Sequence, residues 1–311
     1  MDSPAEKALR GIGLPTEDTR ANESEVRFRD GGWFRFEIPS VEGPGVFQAV
    51  VEEAKRLDVP LHRISEGSGI QLLTDQEIVD MACIGTQEQI EVSLFLGPRA
   101  GFEISAMQAA QNGGVVRPRL RGMDAVRAAL DDAFRAYSLG IRSVLVADEG
   151  MLWLHKELRE KGLWPNDLKI KGSVMMGASN PLSIGLLASL GLATYNCPTD
   201  LTIEQLATVR AFTSVPLDIY VESPDDVGGF VRYGDIERFI RYAAPVYLKF
   251  GVRNAPNIYP SGAHWEDTAI RLGRERVRRA RIAWEAIGRL GMASRMSPVP
   301  CRAEDLAIPV S

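Results

Sequence analysis

The fold of this chain is decided by residues 168–221, which read LKIKGSVMMGASNPLSIGLLASLGLATYNCPTDLTIEQLATVRAFTSVPLDIYV. Short runs in which apolar and polar residues alternate predict strands, and the longer runs between them have helical spacing. The predicted strands are Leu168–Ser173, Thr194–Asn196 and Leu217–Val221, and the predicted helices are Pro181–Leu190 and Thr202–Thr213. Strands that alternate with helices in this way are typical of βα units with a parallel sheet.

The same alternation extends over the rest of the chain. It predicts further strands at Phe34–Ile38, Pro60–Ser65, Ile90–Leu96, Ser143–Ala147 and Val246–Lys249, and further helices at Val46–Arg56, Asp75–Cys83, Met123–Leu139, Met151–Glu160, Ile236–Ala243 and Thr268–Leu290. An open doubly wound sheet usually has about five or six strands, whereas eight consecutive units close into a (βα)8 TIM barrel. We therefore predict an α/β protein of the TIM-barrel class.

The predicted domain organisation is a polar lead (1–25), a single barrel domain (26–294) and a C-terminal tail (295–311). Two alternating runs flank Asp30-Gly31, a dipeptide that favours hairpin turns. We therefore expect an N-terminal hairpin that covers the barrel floor and leads into the first strand.

The composition indicates which type of partner the protein binds and in which cellular compartment it is expected. The net charge of -5 is spread along the chain without a basic run, which argues against nucleic acid and favours a small-molecule or peptide substrate. Cys83, Cys197 and Cys301 lack the spacing of a disulfide framework or of a zinc or iron-sulfur motif, so we expect a reducing cytoplasm. We expect no targeting segment and no membrane partner, because neither a leader nor a run of roughly 18 apolar residues occurs.

Charged side chains alternate with apolar ones along the strands, and the apolar set should face the helices. The lower inward residues, Arg35, Glu37, Glu91, Lys169 and Asp218, are expected to form an ion-pair network that fills the lumen. The upper inward residues are expected at the mouth, where barrel enzymes place their chemistry. This predicted site group is Arg99, Lys171, Asn196, Glu222 and Lys249.

Loops at the strand ends add further candidates. Glu66 and Glu149 each precede a glycine, where the backbone can approach a ligand closely. The loop after the eighth strand contains Arg253, Asn254 and His264, which could hold a substrate anion. The arginine-rich segment 98–122 is typical of a lid, although solvated surface arginines explain it equally well. With three histidines in the chain we predict no cofactor, but a divalent metal bound by carboxylates is left open.

Residues 165–225 resemble the collagenase-like peptidases (peptidase family U32). The similarity lies in the order of the segments Gly172–Ser183, Ser189–Gly191, Asn196–Leu206 and Pro216–Glu222. It implies a barrel fold and a peptidase activity, and it adds Asn180 to the substrate-binding candidates. Many relatives carry an iron-sulfur cysteine cluster beyond the strand that ends here at Glu222. This chain has Ser-Pro-Asp-Asp-Val-Gly-Gly there, so the cluster is not expected.

Three functions follow as hypotheses. The first is a hydrolase that acts on a small anionic or amide-bearing substrate, with Glu222 or Glu149 as general acid or base and Lys171 or Lys249 stabilising negative charge. Arg99 and Arg253 would then hold the substrate. The second is a lyase or isomerase of a carboxylated or phosphorylated metabolite, and the third is a ligand-binding barrel without catalysis. Assembly into a homo-oligomer is also left open.

Overall fold

The computed structural model describes residues 2–18, 22–102, 117–301 and 304–311. Eight parallel strands form a closed barrel in which each strand pairs with the next and the last pairs with the first. The strands are β1 (Phe34–Pro39), β2 (Arg63–Ser65), β3 (Glu91–Phe95), β4 (Ser143–Val146), β5 (Lys169–Gly172), β6 (Thr194–Asn196), β7 (Leu217–Glu222) and β8 (Val246–Phe250). The predicted (βα)8 barrel is thereby confirmed.

Helices follow the strands as the periodicity predicts. They are α2 (Pro44–Arg56), α3 (Asp75–Glu88), α4 (Gly122–Ser138), α5 (Glu149–Glu160), α6 (Pro181–Ser189), α7 (Ile203–Phe212), α8 (Ile236–Ala243) and α9 (Glu266–Arg289). A further short helix, α1 (Pro4–Gly11), lies in the polar lead and buries none of its residues. Capping boxes open α3 at Thr74 and α7 at Thr202, because each threonine satisfies an otherwise unpaired backbone N–H.

The hydrophobic core lies between the sheet and the helices. Phe36 shows how the alternation works, since its ring packs edge-on against Phe250 and Trp284 while the flanking Arg35 and Glu37 point into the lumen and are fully buried. All residues of β1 are buried, so this strand is covered on both faces, as is usual in parallel sheets. The lumen therefore has to be filled by polar side chains that satisfy one another.

The expected N-terminal hairpin does not form. Phe28 N–H donates to the Gly32 carbonyl (3.0 Å), so a turn is present around Asp30, but residues 22–33 contain no strand. The physical reason is that β2 and β8 already occupy both edges of β1. The segment instead covers the barrel floor, where the Phe28 ring packs edge-on against Tyr247.

The C-terminal residues also lie against the floor. Ser297 N–H donates to the Phe34 carbonyl (3.1 Å), and Cys301 and Leu306 are buried beside Phe28. In the described part of the chain, no helix has both the length and the apolar character needed to cross a membrane.

Candidate active site

An ion-pair network fills the barrel lumen around Glu37. Arg63 contacts Glu37 (2.5 Å) and Asp218 (2.6 Å), and its third acidic neighbour, Glu91, lies 3.8 Å away. Lys171 contacts Glu37 (2.5 Å) and Asp218 (3.0 Å). These groups are buried and of opposite sign, so each charge loses its hydration but gains a partner.

The network changes the proton affinity of its members. Burial alone would raise the pKa of Glu37, but Arg63, Lys171 and Lys249 together lower that pKa well below its usual range. Burial and the neighbouring Arg63 lower the pKa of Lys171 to about 8. The carboxylate is therefore held ionised, while one lysine of the cluster titrates close to neutral pH.

A cavity of about 320 Å³ lies above this network at the carboxyl ends of the strands. Four of the residues predicted for the site line it, and they come from four different βα units: Glu66, Arg99, Asn196 and Lys249. This volume lies at the small end of the range for ligand pockets, which begins at roughly 300 Å³. The mouth of the barrel thus forms a site of the size of a small metabolite.

Lys249 and Asn196 form the base of the cavity. The ammonium of Lys249 lies 3.1 Å from Glu37 Oε1 and is nine-tenths or more buried. With its amide oriented to satisfy both groups, Asn196 accepts from Lys249 Nζ (2.9 Å) and donates to the Asp218 carbonyl (3.3 Å). Lys249 is therefore the one member of the charged network that is held at the cavity wall.

Arg99 forms part of the opposite wall. Its guanidinium lies over the rings of Phe95 (4.1 Å) and Phe102 (4.4 Å), and Nη2 donates to the carbonyls of Gly67 (2.5 Å) and Ser68 (2.7 Å). Its buried Nε has no hydrogen-bond partner among the described residues. Burial lowers the pKa of Arg99, so the cation is held there at a cost that a bound anion would offset.

Two carboxyl groups, Glu66 and Glu42, share a hydrogen bond beside this wall. Glu66 also accepts from the N–H groups of Gly69 (2.6 Å) and Phe95 (3.2 Å), and Glu42 accepts from that of Gly67 (2.9 Å). Burial and the adjacent Glu42 raise the pKa of Glu66 well above its ordinary value, and burial raises the pKa of Glu42. The proximity of the two carboxyls and their burial favour retention of a proton by the pair.

Tyr259, Ser40 and Arg276 close the remaining side. Tyr259 donates to Ser40 Oγ, and buried Arg276 on α9 donates to the Ser40 carbonyl (3.1 Å). Gly67 makes room for Tyr259, because a Cβ there would lie 2.7 Å from the tyrosine ring. The cavity wall therefore joins the end of β1 to the loops after β2 and β8.

Glu222 does not lie where the sequence predicts. A β-bulge between Tyr220 and Glu222 reverses the alternation of β7, so Glu222 pairs with the outward-facing Phe250. Its carboxylate accepts from Tyr233 OH (3.2 Å) and from the Arg253 N–H (3.0 Å), outside the cavity. Glu222 and Lys249 therefore do not line the same cavity.

Lys171 is also displaced from the predicted site, because it is held one layer lower, within the lumen network. Glu149 is exposed at the start of α5 and forms an ion pair with Arg119. Asn180 caps α6 by accepting from the Ser183 N–H (2.9 Å). None of these three side chains lines the cavity.

The loop after β8 contributes less than expected. Arg253 is exposed and lies 3.7 Å from Asp225, and the backbone N–H of Asn254 donates to Asp225 (2.6 Å). His264 is exposed beside Trp265. Of this loop, Asn257 and Tyr259 line the cavity instead. In the expected lid, Arg117 lines the cavity, whereas residues 103–116 lie outside the described residues.

The sequence patterns did not predict Glu42, Arg63 or Arg276 as site residues. Glu42 carries the same signal as Glu66 and Glu149, because it follows a strand and precedes a glycine. The phase of β2 left Arg63 ambiguous, since His62 and Arg63 are both polar. Among the residues that the structure describes, no three His, Cys, Asp or Glu side chains are grouped so as to hold a metal ion.

Comparisons with known proteins leave the family open. No family model and no curated protein matches the chain. A solved U32 peptidase is similar at 16% identity over 62% of this chain and 70% of its own, with a TM-score of 0.39. The putative copper homeostasis protein CutC from Streptococcus agalactiae matches at 11% identity (70% and 98% covered, TM-score 0.46).

A putative dihydrodipicolinate synthetase from Pseudomonas aeruginosa matches at 12% identity, with 83% of this chain and 86% of that chain covered and a TM-score of 0.44. The U32 peptidase is thus one of several solved structures that match to a comparable degree. The peptidase resemblance of residues 165–225 stays a prediction, and the fold itself rests on the strand pairing described above.

Proposed function

We propose that this chain is an enzyme that binds a small carboxylated or phosphorylated metabolite at the barrel mouth and transfers a proton to or from it, as a lyase or isomerase. The observation that carries the proposal is the convergence of three groups on one cavity. They are the Arg99 guanidinium, the Lys249 ammonium and the Glu66 carboxyl.

Arg99 is proposed to bind the acid group of the substrate. It is a buried cation whose bonded partners are neutral carbonyls and whose Nε is unpaired among the described residues. A carboxylate or phosphate in the cavity would provide a charge-assisted hydrogen bond to this nitrogen. Such a bond offsets the hydration that the guanidinium loses on burial.

Glu66 and Lys249 are proposed to perform the proton transfer. The shared proton of the Glu42–Glu66 pair gives Glu66 the character of a general acid, and the lysine can stabilise negative charge that develops on the substrate. Glu66 is held by two backbone N–H groups and Lys249 by Asn196 and Glu37, so little reorganisation is needed when charge appears.

Hydrolysis of an amide or peptide is the second candidate. Two carboxyls that share a proton can also activate water, and the Glu42–Glu66 pair is such an arrangement. The hydrolase hypothesis gives the acid or base role to Glu222 or Glu149, and both carboxylates lie outside the cavity. A peptide substrate would therefore have to be processed by Glu66.

A ligand screen by thermal shift tests the proposal. Small carboxylates and phosphates should raise the melting temperature of the wild type and of Arg253→Gln, a matched exposed control, but not that of Arg99→Gln. Conversion of the stabilising acid, followed by NMR, would separate a lyase or isomerase from a binding protein. Equal stabilisation of all three proteins, or stabilisation by peptides alone, would contradict the lyase or isomerase assignment.

A further inference from the structure

We propose that Lys249 forms an imine with the substrate, which narrows the substrate class to small acids that carry an aldehyde or ketone. This inference deepens the proposed function and rests on it. The chain has seven lysines, all in the described part, and of these only Lys249 lines the cavity.

The position of Lys249 suits a nucleophile. Lys249 is 2% exposed, and its Nζ lies 4.6 Å from the centre of the Tyr220 ring and donates to Asn196 (2.9 Å). These contacts restrict the amine to one direction at the end of β8. An amine that is held at the cavity wall reacts as if at high local concentration.

The amine must lose a proton before it can react, and the neighbouring charges affect this step. Lys249 and Lys171 contact the same oxygen, Glu37 Oε1, at 3.1 and 2.5 Å. Arg63 pairs with the same carboxylate, so three cations converge on one group. Like charges so close together disfavour full protonation of the cluster, and the lowered pKa of its neighbouring member Lys171 agrees with this.

The reaction is balanced without an oxidant or a reductant. The neutral amine attacks the carbonyl carbon, an N–C bond forms as the C=O π bond opens, and a proton passes from the nitrogen to the oxygen to give a neutral carbinolamine. A proton from the Glu42–Glu66 pair then allows the hydroxyl to leave as water, and the C=N bond forms. The resulting iminium withdraws electrons from a neighbouring C–H or C–C bond, which is the step that an isomerase or a lyase accelerates.

Reductive trapping of the folded, full-length protein tests this inference. Glyoxylate, the smallest acid with an aldehyde, is added with sodium cyanoborohydride, and each lysine adduct is quantified by peptide mass mapping. Exposed Lys55 and Lys161 are internal controls. We expect Lys249 to be labelled about tenfold faster than either control, because the site brings amine and carbonyl together. Labelling of Lys249 at or below the rate of Lys55 would overturn the inference.

Two variants separate this inference from the proposed function. Lys249→Arg keeps the charge and should abolish the fast adduct, and circular dichroism checks that it folds. If small acids stabilise the wild type through Arg99 but Lys249 is not labelled fast, the imine is wrong and the proposed function stands. Fast labelling that is unchanged in Arg99→Gln would support the imine and contradict the anion-binding role.

Discussion

The floor and the mouth of the barrel each bury an arginine, but they satisfy it differently. At the floor, Arg35 contacts Asp30 (2.9 Å) and Asp305 (3.0 Å) and donates to Tyr247 OH (3.0 Å). At the mouth, Arg99 donates to two backbone carbonyls, and its Nε has no partner within the described ranges. Residues around Phe28 and the C-terminal segment cover the floor, whereas the mouth opens onto a cavity.

Burial of a charged side chain is therefore not sufficient evidence for a ligand-binding site. Both arginines are nine-tenths or more buried, yet one belongs to a closed ion-pair cluster and the other faces an open space. A closed cluster contributes stability, because removing one partner leaves the others unpaired. An incompletely satisfied cation beside a cavity is available to a ligand.

The largest expected effect is at the floor. Arg35→Met should lower the free energy of unfolding by about 3 to 5 kcal/mol, because it leaves two carboxylates without their cation. Urea denaturation of the variant and the wild type measures the difference. A loss below about 1 kcal/mol would contradict the claim that the ion pairs at the floor stabilise the fold.

The next effect is on binding at the mouth. Arg99→Gln should weaken the affinity for a small acid by about 10- to 100-fold, because hydrogen bonds to charged groups contribute roughly 1.5 to 3 kcal/mol. The same substitution should destabilise the protein less than Arg35→Met does. Calorimetric titration measures the affinity, and urea denaturation measures the stability. A stability loss equal to that of Arg35→Met would mean that Arg99 has a structural role and not a ligand-binding one.

A third prediction concerns pH. Because the pKa of Glu66 is higher in the folded state than in the unfolded state, the folded protein binds more protons, and stability should fall as pH rises above about 4.5 through the folded pKa. Glu66→Gln removes this titration and should flatten the decline. Denaturation at a series of pH values compares the slopes.

Lys171 acts in the opposite direction in another pH window. The pKa of Lys171 is about 8 in the folded protein and lies below its ordinary value of 10.5. Between pH 8 and pH 10.5 the unfolded state therefore binds more protons, and the contribution of Lys171 to the free energy of unfolding should rise with pH. The slopes of stability against pH for Glu66→Gln and the wild type are therefore compared below pH 8, outside the window in which Lys171 titrates. Identical slopes for the two proteins would mean that the carboxyl pair holds no shared proton.

The smallest effect is expected at the exposed rim. Glu149→Gln should change stability by no more than about 0.5 kcal/mol, because solvent screens its ion pair with Arg119. It should also leave acid binding unchanged, since Glu149 does not line the cavity. Thermal unfolding and calorimetry measure both, and a loss of binding would extend the site beyond the cavity described above.

Much of the fold could be predicted because local patterns repeat. The alternation of Leu168–Ser173 and of Leu217–Val221 predicts both a strand and its inward face, and the structure has β5 and β7 there. Glu66, Arg99, Asn196 and Lys249 could be selected because each follows or ends a strand. Glu222 could not be placed, because one extra residue at the bulge turns its side chain outward.

The eight βα units and the excess of charged residues on the inward faces can be predicted from the sequence, since both depend on residue spacing within single elements. Which charges neutralise one another, and which face the cavity, depends on how the strands are arranged in three dimensions. Arg63, Glu37 and Lys171 come from different strands, and their pairing depends on the register and closure of the barrel. Ion pairs form over a few ångströms between residues far apart in the chain, and no local pattern encodes such distances.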